Sequence, residues 1–217
     1  MIVSVINNKG GAGKTTLAIN LSSAFGQKKE TLLIDSDPQE SVSAFVERRC
    51  EKEYPPLFSS VKITGNGLRN EAVRLSKKYS IVTIDTGGMD SVEPRIANIV
   101  SDLVIFPILL SLYDLKAFEE TIKSFKDAKI YNPKLKGLVV ICRVSPNPFL
   151  KKKISQLKDF ILSIEADDLF LADSIIYERE IYRESSSEGK SVIEYDNNKA
   201  KGEIDGLVKE IFEILGE

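Results

Sequence analysis

Histidine is absent from the 217 residues. That one omission removes every Ser-His or Cys-His catalytic arrangement, every His-ligated zinc site and any His-based pH switch. Cysteine is almost as scarce. Cys50 and Cys142 stand 92 positions apart, so no C-x-x-C pair exists, and four thiolates for an iron–sulfur cluster would require a second chain. Two reduced thiols in a core is the plain reading. No excess of either charge is present either: 30 basic residues face 32 acidic ones, for a net charge of −2, which excludes a polycationic nucleic-acid coat. Long apolar runs are missing too. The longest, Leu103 to Leu112, is about half of what a bilayer span needs and contains Pro107. The amino terminus, Met1 to Asn7, is apolar but lacks a basic flank and is too short for a signal segment. The expectation is a soluble cytoplasmic protein of one domain covering residues 1–217, a length that buries about 70% of its unfolded surface without staples.

Short β-rich apolar runs alternate with longer stretches of helical period. Ile2–Ile6, Thr31–Ile34, Ser80–Ile84, Leu103–Pro107 and Gly137–Ile141 read as strands, with Leu169–Ser174 a shorter sixth. They are dense in Val, Ile and Leu without in/out alternation, as strands buried on both faces are. Thr15–Gln27, Ser41–Glu51, Gly67–Tyr79, Leu112–Ile130, Phe149–Ile164 and Lys199–Leu215 carry helical spacing. The fold class that follows is α/β: a single doubly wound, mostly parallel sheet with helices on both faces. Tyr54-Pro55-Pro56 and the polar stretch Glu184–Lys190 read as surface loops.

The first strand runs straight into Asn8-Lys9-Gly10-Gly11-Ala12-Gly13-Lys14-Thr15-Thr16 and then a helix. Strand, glycine loop and Gly-Lys-Thr at a helix start is the order that aims backbone N–H groups and a positive helix end at a phosphate chain. Side chains in place of the glycines would block the close approach. Lys14 offers a point charge to β and γ phosphates, the Thr15 hydroxyl can ligate Mg²⁺, and Thr16 reaches the α phosphate. Asn8 stands where a strict G-x-x-x-x-G-K-T loop has its first glycine, and Lys9 is an additional basic residue.

Lys9 to Thr16 resembles the deviant Walker A motif of the ParA/MinD-type ATPases, a group that includes nitrogenase iron protein. The resemblance implies ATP/ADP and Mg²⁺ as ligands, with Gly10, Gly11, Ala12, Gly13, Lys14, Thr15 and Thr16 cradling the phosphates. It also implies a face-to-face homodimer in which Lys9 crosses to the phosphates of the other subunit, spreading positive charge as an arginine finger does. Asp35-Ser36-Asp37-Pro38-Gln39 is similar to the family's switch I. There Asp37 positions the attacking water and Asp35 supports Mg²⁺ through water. Local sequence alone also fits Asp37 as a helix N-cap with Pro38 at the first helical position. Ile81-Val82-Thr83-Ile84-Asp85 ends an apolar strand in a carboxylate, where a Walker B group reaches a hydrated metal. By resemblance Asp85 takes that role, and Gly87 and Gly88 give the backbone freedom to follow the γ phosphate.

Val100–Ile105 with Pro107, and Ala200–Ile204 at the head of the last helix, look like the small ParF-type plasmid-partition ATPases. In them Pro107 and Ile108–Asp114 would line the base and dimer edge, and Arg143 would lie near the adenine, although a plain surface arginine explains Arg143 equally. The loop begins at position 8, leaving no room for a preceding DNA-binding domain. The implied partners are nonspecific DNA and a centromere-binding partition protein that stimulates hydrolysis, with nucleoid association in the ATP state and no stable membrane association. From Arg143 to Lys201 there are ten basic and eleven acidic residues, so DNA contact rests on a local patch such as Lys151–Lys153 or Arg179, Arg183 and Lys190. Two rivals remain: a MinD-like membrane-cycling ATPase, and a metabolic ligase or kinase on the same loop. The first needs a basic amphipathic carboxyl-terminal helix, yet the last helix has an acidic polar face and reads as core-packing. The second needs a further substrate constellation that the sequence does not display.

Overall fold

The computed structural model describes residues 1–7, 10–88, 91–196 and 198–217, leaving the side chains of 112–117 outside that description. Its centre is a parallel sheet of eight strands among the described residues. They are β1 (Ile2–Val5), β2 (Thr31–Ser36), β3 (Ser59–Lys62), β4 (Ile81–Thr86), β5 (Leu103–Leu109), β6 (Lys136–Val144), β7 (Leu169–Leu171) and β8 (Ile176–Tyr177). The order across the sheet is β3-β2-β4-β1-β5-β6-β7, with β8 pairing β6 beyond β7. The chain therefore leaves β1 toward β2 on one side and later returns to lay β5 on the other. That reversal opens a crevice at the carboxyl edge of β1, where open α/β sheets bind ligands.

Parallel neighbours require crossovers, and the helices supply them. They are α1 (Lys14–Gly26), α2 (Ser41–Glu51), α3 (Gly67–Leu75), α4 (Glu93–Val100), α5 (Leu112–Lys129), α6 (Lys151–Leu162), α7 (Glu180–Ser187) and α8 (Lys199–Leu215). The buried apolar strand residues face one of two cores. Val3, Val5, Leu33, Ile105 and Val140 pack with α1, α2 and α8. Ile2, Ile34, Val104, Phe106 and Val139 pack with α3, α4, α5 and α6. The last helix is committed to this core: Ala200, Ile204, Leu207 and Ile211 are fully buried, and Phe212 meets Phe25 of α1 edge-on at 5.6 Å. Asn198 starts α8 by accepting the Lys201 N–H at 2.6 Å. Among the described residues no helix is long and apolar enough to cross a membrane.

Several elements depart from the sequence expectation, α4 and β8 among them, neither of which the sequence reading includes. β3 is an edge strand exposed at all four residues, so it carries no apolar run to reveal it. Glu184–Lys190 is not all loop, because α7 extends through Ser187; its single buried residue, Ser185, leaves the stretch looking polar throughout. The strand expected over Ser80–Ile84 ends two residues later, at Thr86, which brings Asp85 inside the sheet.

Proline in a central strand normally breaks a ladder, yet Pro107 sits in β5 between β1 and β6. Pairing with β1 stops at Ile105, whose carbonyl accepts the Ile6 N–H at 2.9 Å. Pro107 stands two residues on, at the position whose N–H would donate the next rung to β1, so the pairing ends there; its carbonyl accepts from the Asn7 side chain. Because α8 is core, Leu207→Ala should cost about 2–5 kcal/mol of unfolding free energy, measured by urea denaturation. A loss under about 0.5 kcal/mol would mean that this face is not packed.

Candidate nucleotide site

The phosphate loop leaves β1 through Asn7 and enters α1 at Lys14. Asn8 and Lys9 lie outside the described residues, so the role expected of Lys9 has no structural counterpart here. Gly11 and Gly13 adopt φ of 77° and 89°, a left-handed backbone that strains any residue with a side chain. Gly13 is the N-cap of α1 without a side-chain cap, and its carbonyl accepts Leu17 N–H at 2.9 Å. The first N–H groups of the helix thus remain available at the loop. Ala12 is buried against the fold, whereas Gly10, Gly11, Gly13, Lys14, Thr15 and Thr16 line a cavity of about 480 Å³. Lys14 is only 7% exposed. Burial pushes its pKa down, and the Asp85 and Asp37 carboxylates pull the other way.

Asp35 and Asp85 are register partners on β2 and β4, with Val5 of β1 opposite Asp85. Strand pairing alone therefore sets the two carboxylates side by side beneath the loop. Their partners differ. Asp35 accepts the Asp37 N–H at 3.2 Å and the Ser43 N–H at 3.3 Å, closing the β2–α2 connection. Neither oxygen of Asp85, which is fully buried, has a hydrogen-bond partner among the described residues. Burial raises its pKa to about 7, Asp35 and Asp37 add to the rise, and the nearby Thr15 hydroxyl and Lys14 oppose it.

Asp37 lies at the cavity rim with Gln39 and Gly88. It is not a helix N-cap: α2 begins at Ser41 behind Glu40, which has φ 56°. Asp37 instead closes a turn, its carboxylate accepting Gln39 N–H at 2.9 Å and its carbonyl Glu40 N–H at 3.1 Å, with Pro38 at the second position where its fixed φ suits. Gly87 lies close by, so that a Cβ there would come within 3.2 Å of Pro38. The two acidic segments therefore touch.

A buried, unpartnered carboxylate beside a cradle of N–H groups is a donor set suited to a cation that arrives with phosphates. Asp35, Asp37 and Asp85 do not form a closed metal-binding cluster among the described residues. Mg²⁺ does not need one, since it keeps waters and is bound through one or two carboxylates plus substrate phosphates. The residues present fit Mg²⁺ with a polyphosphate.

Apart from Arg143, the opposite wall was not anticipated as part of the site. It comprises Cys142, Ile176, Tyr177, Glu178 and Tyr182, together with the arginines 143, 179 and 183. Burial, with Glu203 adding, pushes both the Cys142 thiol and the Tyr182 hydroxyl well up, keeping them neutral. Arg179 donates through Nε to Glu203 at 2.7 Å and Arg183 to Glu178 at 3.1 Å. These two candidate DNA-patch residues are therefore ion-paired at the cavity, while Lys190 stacks over Tyr54 at 4.7 Å. Lys151–Lys153 are exposed at the start of α6. Arg143, expected near the adenine, lines the cavity and donates to the Gly11 carbonyl of the loop. Pro107 does not: it is buried behind Asn7 and absent from the lining. Of Ile108–Asp114, the side chains from 112 onward lie outside the described residues.

Comparison with known proteins agrees with this geometry. The chain is similar to the maintenance of carboxysome distribution protein A of Halothiobacillus neapolitanus, 26% identical over 215 residues, which is 96% of this chain and 95% of that one. It is 25% identical over 238 residues to the chromosome partitioning protein ParA of Caulobacter vibrioides, covering 90% of this chain and 87% of that one. A plasmid partition protein of Borrelia burgdorferi bound to AMPPNP shares the fold at a TM-score of 0.71 and 21% identity, covering 97% of each chain. The family described as CobQ/CobB/MinD/ParA nucleotide binding domain matches residues 3–192. The chain, with its glycine loop, paired strand-end carboxylates and parallel sheet, belongs to that family.

Proposed function

We propose that the chain is a single-domain, ParA-like partition ATPase. It binds Mg-ATP, pairs face to face with a second copy, holds DNA without sequence preference and hydrolyses ATP when a centromere-binding partner stimulates it. The observation that carries this reading is Asp85, a buried carboxylate whose oxygens have no hydrogen-bond partner within bonding distance among the described residues, at the strand end beside a phosphate-type loop. The carboxysome-distribution and chromosome-partitioning relatives support a role in positioning cargo.

In this reading the loop amides from Gly10 to Thr16 and the Lys14 ammonium bind the phosphate chain. The Thr15 hydroxyl and Asp85 hold the metal, with Asp35 acting through water. Mg²⁺ held there would supply positive charge to the phosphate chain. Asp37 orients the water for in-line attack from the cavity rim, and Lys9 of the second copy adds positive charge as it develops on the γ-phosphoryl oxygens. Arg143 contacts the nucleotide from the far wall. Hydrolysis then times release from DNA, so switching rather than turnover is the output.

Sedimentation and DNA binding with ATP, with ADP and without nucleotide test the whole reading; dimers and DNA retention confined to ATP are expected, and ATP-independent monomers would overturn it. Lys14→Ala should weaken nucleotide binding about 10- to 100-fold, the worth of a charge-assisted contact. Lys9→Ala should keep nucleotide binding by the monomer and lose the ATP-dependent dimer; normal dimer-dependent hydrolysis in that variant would reject the role of Lys9.

Asp85 yields a pH prediction. Its pKa is about 7 in the fold against an ordinary 3.8, so between those values the unfolded chain binds fewer protons and wild-type stability falls as pH rises. Asp85→Asn has no such slope. In nucleotide-free protein the variant should gain on wild type from pH 4 to pH 7 and level off above, by at most about 4 kcal/mol. It should also lose the stabilisation that Mg-ATP gives wild type. Parallel urea curves across that range would show that Asp85 is not a buried, uncompensated carboxylate.

A further inference from the structure

Arg143 spans the cavity. Its place in β6 is irregular: pairing with β8 slips between Cys142 and Val144, and Arg143 itself takes φ 53°, a left-handed backbone uncommon outside glycine. The slip turns its side chain over the phosphate loop, where a Cβ added at Gly11 or Gly13 would lie 3.8 Å from it. One guanidinium nitrogen donates to the Gly11 carbonyl at 2.6 Å. The other donates at 3.3 Å to Glu178, just after β8, and the same Glu178 oxygen accepts from Arg183 of α7 at 3.1 Å. Both arginines and Glu178 line the cavity. Two cations thus share one carboxylate across the space between the loop and the far wall.

We propose that Glu178 is a resident stand-in for ligand phosphate, holding Arg143 and Arg183 in place until a polyphosphate displaces it. This rests on the nucleotide reading above and adds to it a built-in competitor. The side chains of Arg143, Glu178 and Arg183 are 45%, 44% and 66% exposed. Ion pairs this open are weak and readily exchanged. A polyphosphate carries several negative charges and matches the guanidinium fork at least as well as one carboxylate does. Once it binds, Glu178 faces like charge and loses its partners. Glu178 therefore lowers affinity for the ligand and sets the concentration at which the site fills.

Glu178→Gln removes the charge while keeping the shape, and unchanged circular dichroism checks its folding. Titrations with ATP and with inorganic tripolyphosphate, which has no base, should both show about 2- to 5-fold tighter binding at low salt, the range expected for exposed ion pairs. The gain should shrink toward nothing at about 1 M salt, where the screening length is about 3 Å, and should be absent when Arg143→Ala and Arg183→Ala are both combined with it. Unchanged or weaker binding by Glu178→Gln would overturn the proposal, as would a gain for ATP alone, because then Glu178 acts on the nucleoside. The nucleotide reading fails differently: wild type would not bind ATP, while the tripolyphosphate titration would still decide the exchange.

Discussion

Sheet pairing places a negative charge where water cannot reach it. Asp85 sits between Asp35 and Val5 in the register of three parallel strands, and the backbone ladder leaves it no other position. An ionised carboxylate taken out of water must find a counterion, take up a proton or cost several kcal/mol. The protein answers incompletely: Lys14 lies near but is itself buried, so each charge is held in a setting unfavourable to it. The missing charge balance is what a cation and a phosphate chain would supply together under the proposed function. Stability of the ligand-free fold and readiness for the ligand are opposed at this point.

Around that constraint the remaining parts divide labour. The left-handed glycines 11 and 13 let the loop turn its amides inward. Asp35 spends its oxygens on backbone and so fixes the β2–α2 connection that carries Asp37. Gly87 is small enough for the β4 exit to lie against Pro38. A change in either acidic segment is therefore felt by the other through direct contact.

Much of this was legible in the residues. The run from Gly10 to Thr16 is local, its chemistry depends on spacing, and the structure forms the cradle that the spacing requires. Asp35 and Asp85 could be placed at strand ends because apolar runs precede them. What could not be read depends on distant pairing. β8 has two residues and exists because β6 offers an edge to Ile176 and Tyr177; nothing in its own composition marks it. Hence the far wall, with Tyr177, Glu178 and Tyr182, escaped notice, and Arg179 and Arg183 looked like free surface charge. Asp37 was ambiguous for a different reason: an Asp-Pro pair suits a helix cap and a tight turn alike, and only the start of α2 at Ser41 separates them. Pro107 was assigned by likeness to a base-contacting edge, whereas in the fold it is buried beneath the loop.

That proline has a further effect. A residue without an N–H cannot donate another rung to β1, so the pairing of the two strands ends where that donor would be needed. The point at which the first strand must let go is thus encoded 100 positions downstream of it.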